Sequence, residues 1–179
     1  MADTILFTSE QIKARVQELA LTLSQDYKGK KPLLIGILNG SVVFMADLIR
    51  ALYTQGLTEI EIDFMTVSSY GKETKYSGVS TIVRDIVKDI NGRDVILVED
   101  IIDTGHTLAF VRDYFLKKNP ASFKIVAFLD KAEKREVEVP VDYIGFRIEG
   151  KSWIEGYGLD GGKYGRGRSD IAAKEGTST

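Results

Sequence analysis

The chain has 179 residues, 44% hydrophobic and 28% charged, with a formal net charge of −2; this suits a single domain with a proper buried core and lacks the basic field that nonspecific nucleic-acid binding leans on. The absence of cysteine and the single histidine exclude disulfides, thiolate catalysis, cysteine-based metal sites and a multi-histidine metal cluster. Met1-Ala2-Asp3-Thr4 has no basic region followed by an apolar core, and no apolar run reaches bilayer-spanning length, so a cytoplasmic protein with no membrane or nucleic-acid partner is expected.

The first element predicted is a helix from about Ser9 to Tyr27. Ile12, Val16, Leu19, Ala20 and Leu23 recur at helical spacing, and Thr8 with Gln11 resembles a capping box. Lys28-Gly29-Lys30-Lys31-Pro32 ends it and reads as a solvated loop. Leu33–Leu38 is a buried-strand candidate, followed by the turn Asn39-Gly40-Ser41 and a helix from Val42 to Gln55. A turn between a buried strand and a helix lies at the carboxyl edge of a sheet, where open α/β folds bind ligands. Glu59–Ser68 alternates, with Ile60, Ile62 and Phe64 set against Glu61 and Asp63, and reads as a half-buried strand. The polar connection Ser69–Gly78 is either an active-site lid or a plain surface hairpin. Val79–Ile86 is a further strand candidate.

Val95–Leu108 carries the most chemistry. An apolar run, Val95 to Val98, meets Glu99 and Asp100, and Asp103-Thr104-Gly105-His106-Thr107 then leads into a helix running to about Lys118. A small-residue turn at a helix N-terminus gathers N–H groups and hydroxyls that favour a phosphate. The acids before it suit ribose hydroxyls, a hard cation or proton transfer. By itself Asp103 reads as a helix N-cap. Phe123–Leu129 is another strand, ending in Asp130-Lys131; the mixed-charge run Glu133–Glu138 reads as a solvated connection. Val141–Phe146 is a strand, followed by Trp153-Ile154, Gly156–Asp160, a glycine-rich basic segment from Gly161 to Arg168, and a small polar tail from Ala172. Strands alternating with helices imply an α/β fold with a mainly parallel central sheet flanked by helices. The expected organisation is one domain, 1–179, with a small hood from about 1–30 and 141–170.

Val95–Leu108 resembles the phosphoribosyl-pyrophosphate signature of the type I phosphoribosyltransferases, in the spacing of the hypoxanthine-guanine branch. Leu38-Asn39-Gly40, Ser69-Tyr70, Lys131, and Trp153 to Asp160 followed by Arg166 occur in the family's order. The resemblance implies a Mg²⁺-dependent purine-salvage enzyme that uses phosphoribosyl pyrophosphate and a 6-oxopurine, as a homodimer or homotetramer. It implies that Asp103, Thr104, Gly105, His106 and Thr107 form the 5′-phosphate cradle, with Asp103 as general acid/base. Glu99 and Asp100 would hold the ribose hydroxyls and lie near the metal, and Asp160 would be a second metal ligand bordering the purine. Lys131 would donate to the 6-oxo group, Trp153 would stack on the purine, and Ile154 would offer backbone groups to the base edge. Asn39 and Gly40 would present N–H groups to pyrophosphate through a strained or cis peptide, with Arg166 as its clamp, and Ser69-Tyr70 would close over the reacting centre.

Two positions depart from the family pattern. His106 and Asn39 stand where relatives often carry lysine; because His106 is a histidine, phosphate affinity is expected to depend on pH near neutrality. The glycine-rich stretch Gly161–Gly165 leaves the clamp open between Arg166 and Arg168. The alternatives are a non-catalytic regulatory protein of the same fold, or a transferase for xanthine or adenine.

Overall fold

Two apolar runs, Leu33–Leu38 (β2) and the first half of Asp94–Ile102 (β5), lie side by side in parallel register, with Leu33 opposite Val95 and Gly36 opposite Val98. In this computed structural model, which describes residues 4–69, 80–150, 153–160 and 164–174, they form the centre of a six-stranded sheet. Each run is buried on both faces, as a covered parallel strand requires. On one side β2 pairs in parallel with β3 (Glu61–Ser69), which pairs antiparallel with β4 (Ser80–Arg84). On the other side β5 pairs in parallel with β6 (Ser122–Asp130), and β6 with β7 (Tyr143–Arg147). The order β4-β3-β2-β5-β6-β7 carries the chain outward in opposite directions from β2 and from β5. Their carboxyl ends therefore flank a topological switch point, where the loops diverge and leave a crevice.

Helices cover both faces. α1 (Ser9–Asp26) and α2 (Val42–Thr54) share one core cluster with Leu34, Ile96 and Val98. α3 (His106–Leu116) buries Leu108, Val111 and Phe115 against Leu33, Ile35, Val95 and Leu97 on the opposite face. The capping box is formed: Gln11 N–H donates to Thr8 Oγ1 at 3.3 Å, and Thr8 N–H to Gln11 Oε1 at 2.9 Å. A second sheet, β1-β9-β8 from Thr4–Phe7, Ile171–Lys174 and Trp153–Glu155, is antiparallel and forms the hood. Tyr157 ties it down: its hydroxyl donates to Asp47 Oδ2 of α2 at 2.9 Å, and its ring lies 4.8 Å from that of Phe128 on β6.

Three departures from the local pattern have long-range causes. On β3 the alternation does not divide inside from outside: Ile62 is exposed while Asp63 is buried. The Asp63 carboxylate accepts N–H groups from Phe64, Val87 and Lys88 at 2.8, 2.9 and 3.1 Å, which makes its burial tolerable. β7 lies in the large sheet rather than the hood, and α1 packs against α2 and β7, its Arg15 donating to the carbonyls of Gly145 and Ile144 at 2.7 and 2.8 Å. Glu133–Glu138 is not merely solvated, as the site makes plain. No helix among the described residues is long and apolar enough to cross a membrane.

Candidate active site

The carboxyl ends of β2 and β5 and the hood converge on a cavity of about 280 Å³ lined by Gly40, Asp100, Ile101, Asp103, Lys131, Lys134, Trp153, Ile154, Leu159, Asp160 and Arg166. The approach is close enough to dictate residue type. A Cβ on Gly40 would lie 1.6 Å from Asp100 Oδ2, and one on Gly158 would lie 2.3 Å from the Gly40 carbonyl. Gly158 also sits at φ +97°, so only glycine satisfies both the backbone and the space there. The Leu38–Asn39 peptide is cis. Asn39 itself is exposed and is not on the cavity wall.

A second, smaller cavity of about 120 Å³ adjoins through Ile101 and Asp103 and is lined by Glu99, Thr104, Gly105, Thr107 and Leu108. The turn 103–107 leads directly into α3. Gly105, at φ +92°, is the N-cap residue, so Asp103 is not the cap that its position alone suggested. Its side chain is instead exposed toward the cavity, 3.4 Å from Lys134 Nζ. His106 turns away from the small cavity, its Nε2 standing 2.8 Å from Glu136 Oε2.

The charged groups are tuned by burial. Glu99 Oε2 is shut off from solvent and has no hydrogen-bond partner among the described residues. Burial, reinforced by the neighbouring Asp100 charge, pushes the Glu99 carboxyl well above the ordinary range. Burial also pushes Asp100 up to about 6, against N–H donation from Ile101 and its own backbone. Lys131 is buried at the end of β6; desolvation holds its ammonium below the usual lysine value, with Lys134 adding to the effect and Asp103 opposing it. Trp153 leaves 45% of its surface exposed at the cavity mouth, while Ile154 is buried and pairs with Ala173.

Arg166 pairs with Asp160 and donates to the Gly158 carbonyl at 2.7 Å. Arg168 points elsewhere, its Nε donating to Asp170 Oδ1 at 2.8 Å. Of the two arginines, Arg166 is the one on the cavity. Ser69 is the last residue of β3; Tyr70, the remainder of the polar connection, and 161–163 lie outside the described residues.

A model of the phosphoribosyl transferase domain matches residues 4–161. The chain belongs to the phosphoribosyltransferase family. It is 43% identical over 168 residues to a hypoxanthine-guanine phosphoribosyltransferase from Aquifex aeolicus, covering 93% of this chain and 92% of that one. A Streptococcus pneumoniae protein of the same name is 47% identical over 156 residues, covering 87% of this chain and 84% of its own length. Among solved structures, a Bacillus anthracis hypoxanthine-guanine phosphoribosyltransferase with HEPES in the active site superposes with a TM-score of 0.89 at 39% identity, covering 97% and 99% of the two chains.

Several residues of this phosphoribosyltransferase's cavity had escaped the sequence reading. Lys134, Ile101 and Leu159 line it, and the mixed-charge run after β6 supports it from behind. Thr104 O accepts the N–H groups of Glu136 and Val137 at 2.9 and 3.0 Å. A Cβ on Gly105 would lie 2.3 Å from Val137 O. The charges in that run give no signal of this, because charge by itself suggests solvent, whereas the Lys134, Arg135 and Glu136 side chains and the Glu136 and Val137 N–H groups all turn to residues distant in sequence.

Proposed function

We propose that the protein is a purine-salvage phosphoribosyltransferase that moves the 5-phosphoribosyl group from phosphoribosyl pyrophosphate to hypoxanthine and guanine, giving IMP or GMP and pyrophosphate. The observation that carries this reading is the shared cavity, in which an acid beside a phosphate-type turn, a buried lysine, an exposed tryptophan face and an arginine face one another. The purine ring nitrogen forms its bond to ribose C1′ as the bond from C1′ to the pyrophosphate oxygen breaks, through an oxocarbenium-like transition state. Asp103 takes the proton from that nitrogen, with Lys134 beside it to steady its charge.

Lys131 donates to the 6-oxo group. An adenine amino group there would set donor against donor, which selects against that base. Trp153 stacks on the ring, and Ile154 meets the base edge through its backbone. Thr104, Gly105 and Thr107, with the backbone N–H rather than the ring of His106, receive the 5′-phosphate at the start of α3. Arg166 and the Asn39–Gly40 backbone receive the pyrophosphate; for this, Arg166 exchanges its Asp160 partner for the departing anion. Ser69 and Tyr70 form part of the closing lid that keeps water from the activated ribose.

Glu99 and Asp100 suit Mg²⁺: they offer hard oxygen donors, and the buried Oε2 is left without a partner among the described residues. Among those residues no group of three or more potential ligands stands together; an ion held here would take part of its coordination from substrate phosphates and water. Glu99 and Asp100 would hold Mg²⁺, which when bound would neutralise pyrophosphate charge, and Asp160 would be the ligand of a second ion. A cytoplasmic location and a homodimer or homotetramer complete this reading.

The test is direct. With phosphoribosyl pyrophosphate and Mg²⁺, nucleotide forms from hypoxanthine and guanine and not from adenine. Binding of phosphoribosyl pyrophosphate without turnover of any base overturns the proposal.

A further inference from the structure

Consecutive residues after β6 meet consecutive residues of the turn before α3. Lys134 pairs with Asp103 at 3.4 Å, the Glu136 and Val137 N–H groups meet the Thr104 carbonyl, Val137 O lies under Gly105, and Glu136 faces His106. Arg135 sits at the centre of this contact. One guanidinium nitrogen donates to the Asp103 carbonyl at 3.2 Å, and another pairs with Asp130 at the end of β6. Its side chain is 10% exposed and that of Asp130 8%. The stem passes beneath Gly105, with Cδ 3.1 Å from where a Cβ would stand. Arg135 is on the wall of neither cavity, so it does not reach substrate. Its planar fork bridges a fixed carboxylate and a backbone carbonyl, a geometry that a lysine point charge cannot reproduce.

We infer that Arg135 is a positioning residue of the reaction, a clamp that fixes the backbone of Asp103 to the end of β6 and so sets the shape of the phosphate turn. The same segment begins with Lys131, whose N–H donates to the Ile102 carbonyl at 2.9 Å. The purine-facing lysine and the phosphate turn are thereby built on one braced segment. This role rests on the phosphoribosyltransferase reading given above.

Calorimetric binding of phosphoribosyl pyrophosphate with Mg²⁺, measured alongside steady-state turnover, tests it in R135K, R135Q and R147Q. Loss of a charged hydrogen bond should weaken binding roughly 10- to 100-fold in both Arg135 variants, raising KM for phosphoribosyl pyrophosphate and leaving KM for hypoxanthine unchanged. A merely structural loss would lower the active fraction, and hence kcat, without altering the affinity of the molecules that remain folded. Arg147 also faces Asp130, at 3.8 Å, but from an exposed position away from the turn; R147Q should bind as wild type. Because R135Q strands the buried Asp130 carboxylate, a D130N/R135Q double variant is measured beside it and should show the same weakening.

Wild-type affinity in R135K or in the double variant overturns the clamp. Equal weakening by R147Q overturns it as well, since neutralising Asp130 would then suffice. Wild-type protein that binds phosphoribosyl pyrophosphate but turns over no base overturns the enzyme reading, and the affinity comparison still decides the clamp. Wild-type protein that does not bind phosphoribosyl pyrophosphate overturns both.

Discussion

At the β3–β4 side of the large sheet, Asp63 and Asp85 are fully engaged. Asp63 accepts three backbone N–H groups, and Asp85 accepts the Ile86 N–H at 2.8 Å, the Tyr114 hydroxyl, and Lys118 Nζ at 3.0 Å. At the centre of the same sheet, Glu99 is buried with Oε2 unmatched among the described residues, and Asp100 is pressed against Gly40. The carboxyl of Asp85 is shifted the other way: desolvation would raise it, but hydrogen bonds from Tyr114, Lys118 and the Ile86 N–H, with the Lys118 charge, together hold it low. One group of acids stabilises the fold. The other is buried at some expense to stability, and under the proposed function that expense holds it ready for ligands, as with buried acids at functional sites.

The comparison sharpens most at Asp103. Its side chain is 47% exposed, so Asp103→Asn should leave thermal unfolding unchanged while lowering turnover by roughly 10²–10⁴ if it manages the proton; unaltered turnover would remove it from that role. Asp63→Ala should do the reverse. It leaves three N–H groups to find new partners, and should lower stability by roughly 2–3 kcal/mol in denaturant titration, with turnover per folded molecule retained.

The smallest effect expected is at Asp100, and its sign depends on pH. Its folded value is raised from 3.8 to about 6, so its contribution favours the fold below about pH 4 and is lost as pH rises through 6. In metal-free buffer, Asp100→Asn should therefore gain stability on the order of 1–3 kcal/mol at pH 8 and little at pH 4. The contrast between the two groups breaks if the gain is the same at both pH values. Asp85 runs oppositely, since its stabilisation fades as pH falls through its lowered value.

Where the local pattern leaves little choice, the structure follows it. β2 begins and ends at the residues expected, because an apolar run bounded by Pro32 and Asn39-Gly40 leaves little choice. α1 starts at its capping box for the same reason. Alternation misplaces Asp63 because it reports side-chain polarity, whereas the burial of Asp63 depends on N–H groups more than twenty residues away, at Val87 and Lys88. At Glu133–Glu138 charge suggests solvent, yet the Lys134, Arg135 and Glu136 side chains and the Glu136 and Val137 N–H groups meet the turn before α3.

The sequence by itself determined the order of chemistry along β5 and the turn after it, because adjacent residues on a strand and a helix start are placed by local geometry alone. Tertiary structure decided which distant residues join them. The order of strands brings Gly40 against Asp100 and Gly158 against Gly40, turns Arg166 rather than Arg168 to the cavity, and sets Arg135 behind the phosphate turn. Those meetings depend on sheet pairing across the chain, which no local periodicity specifies.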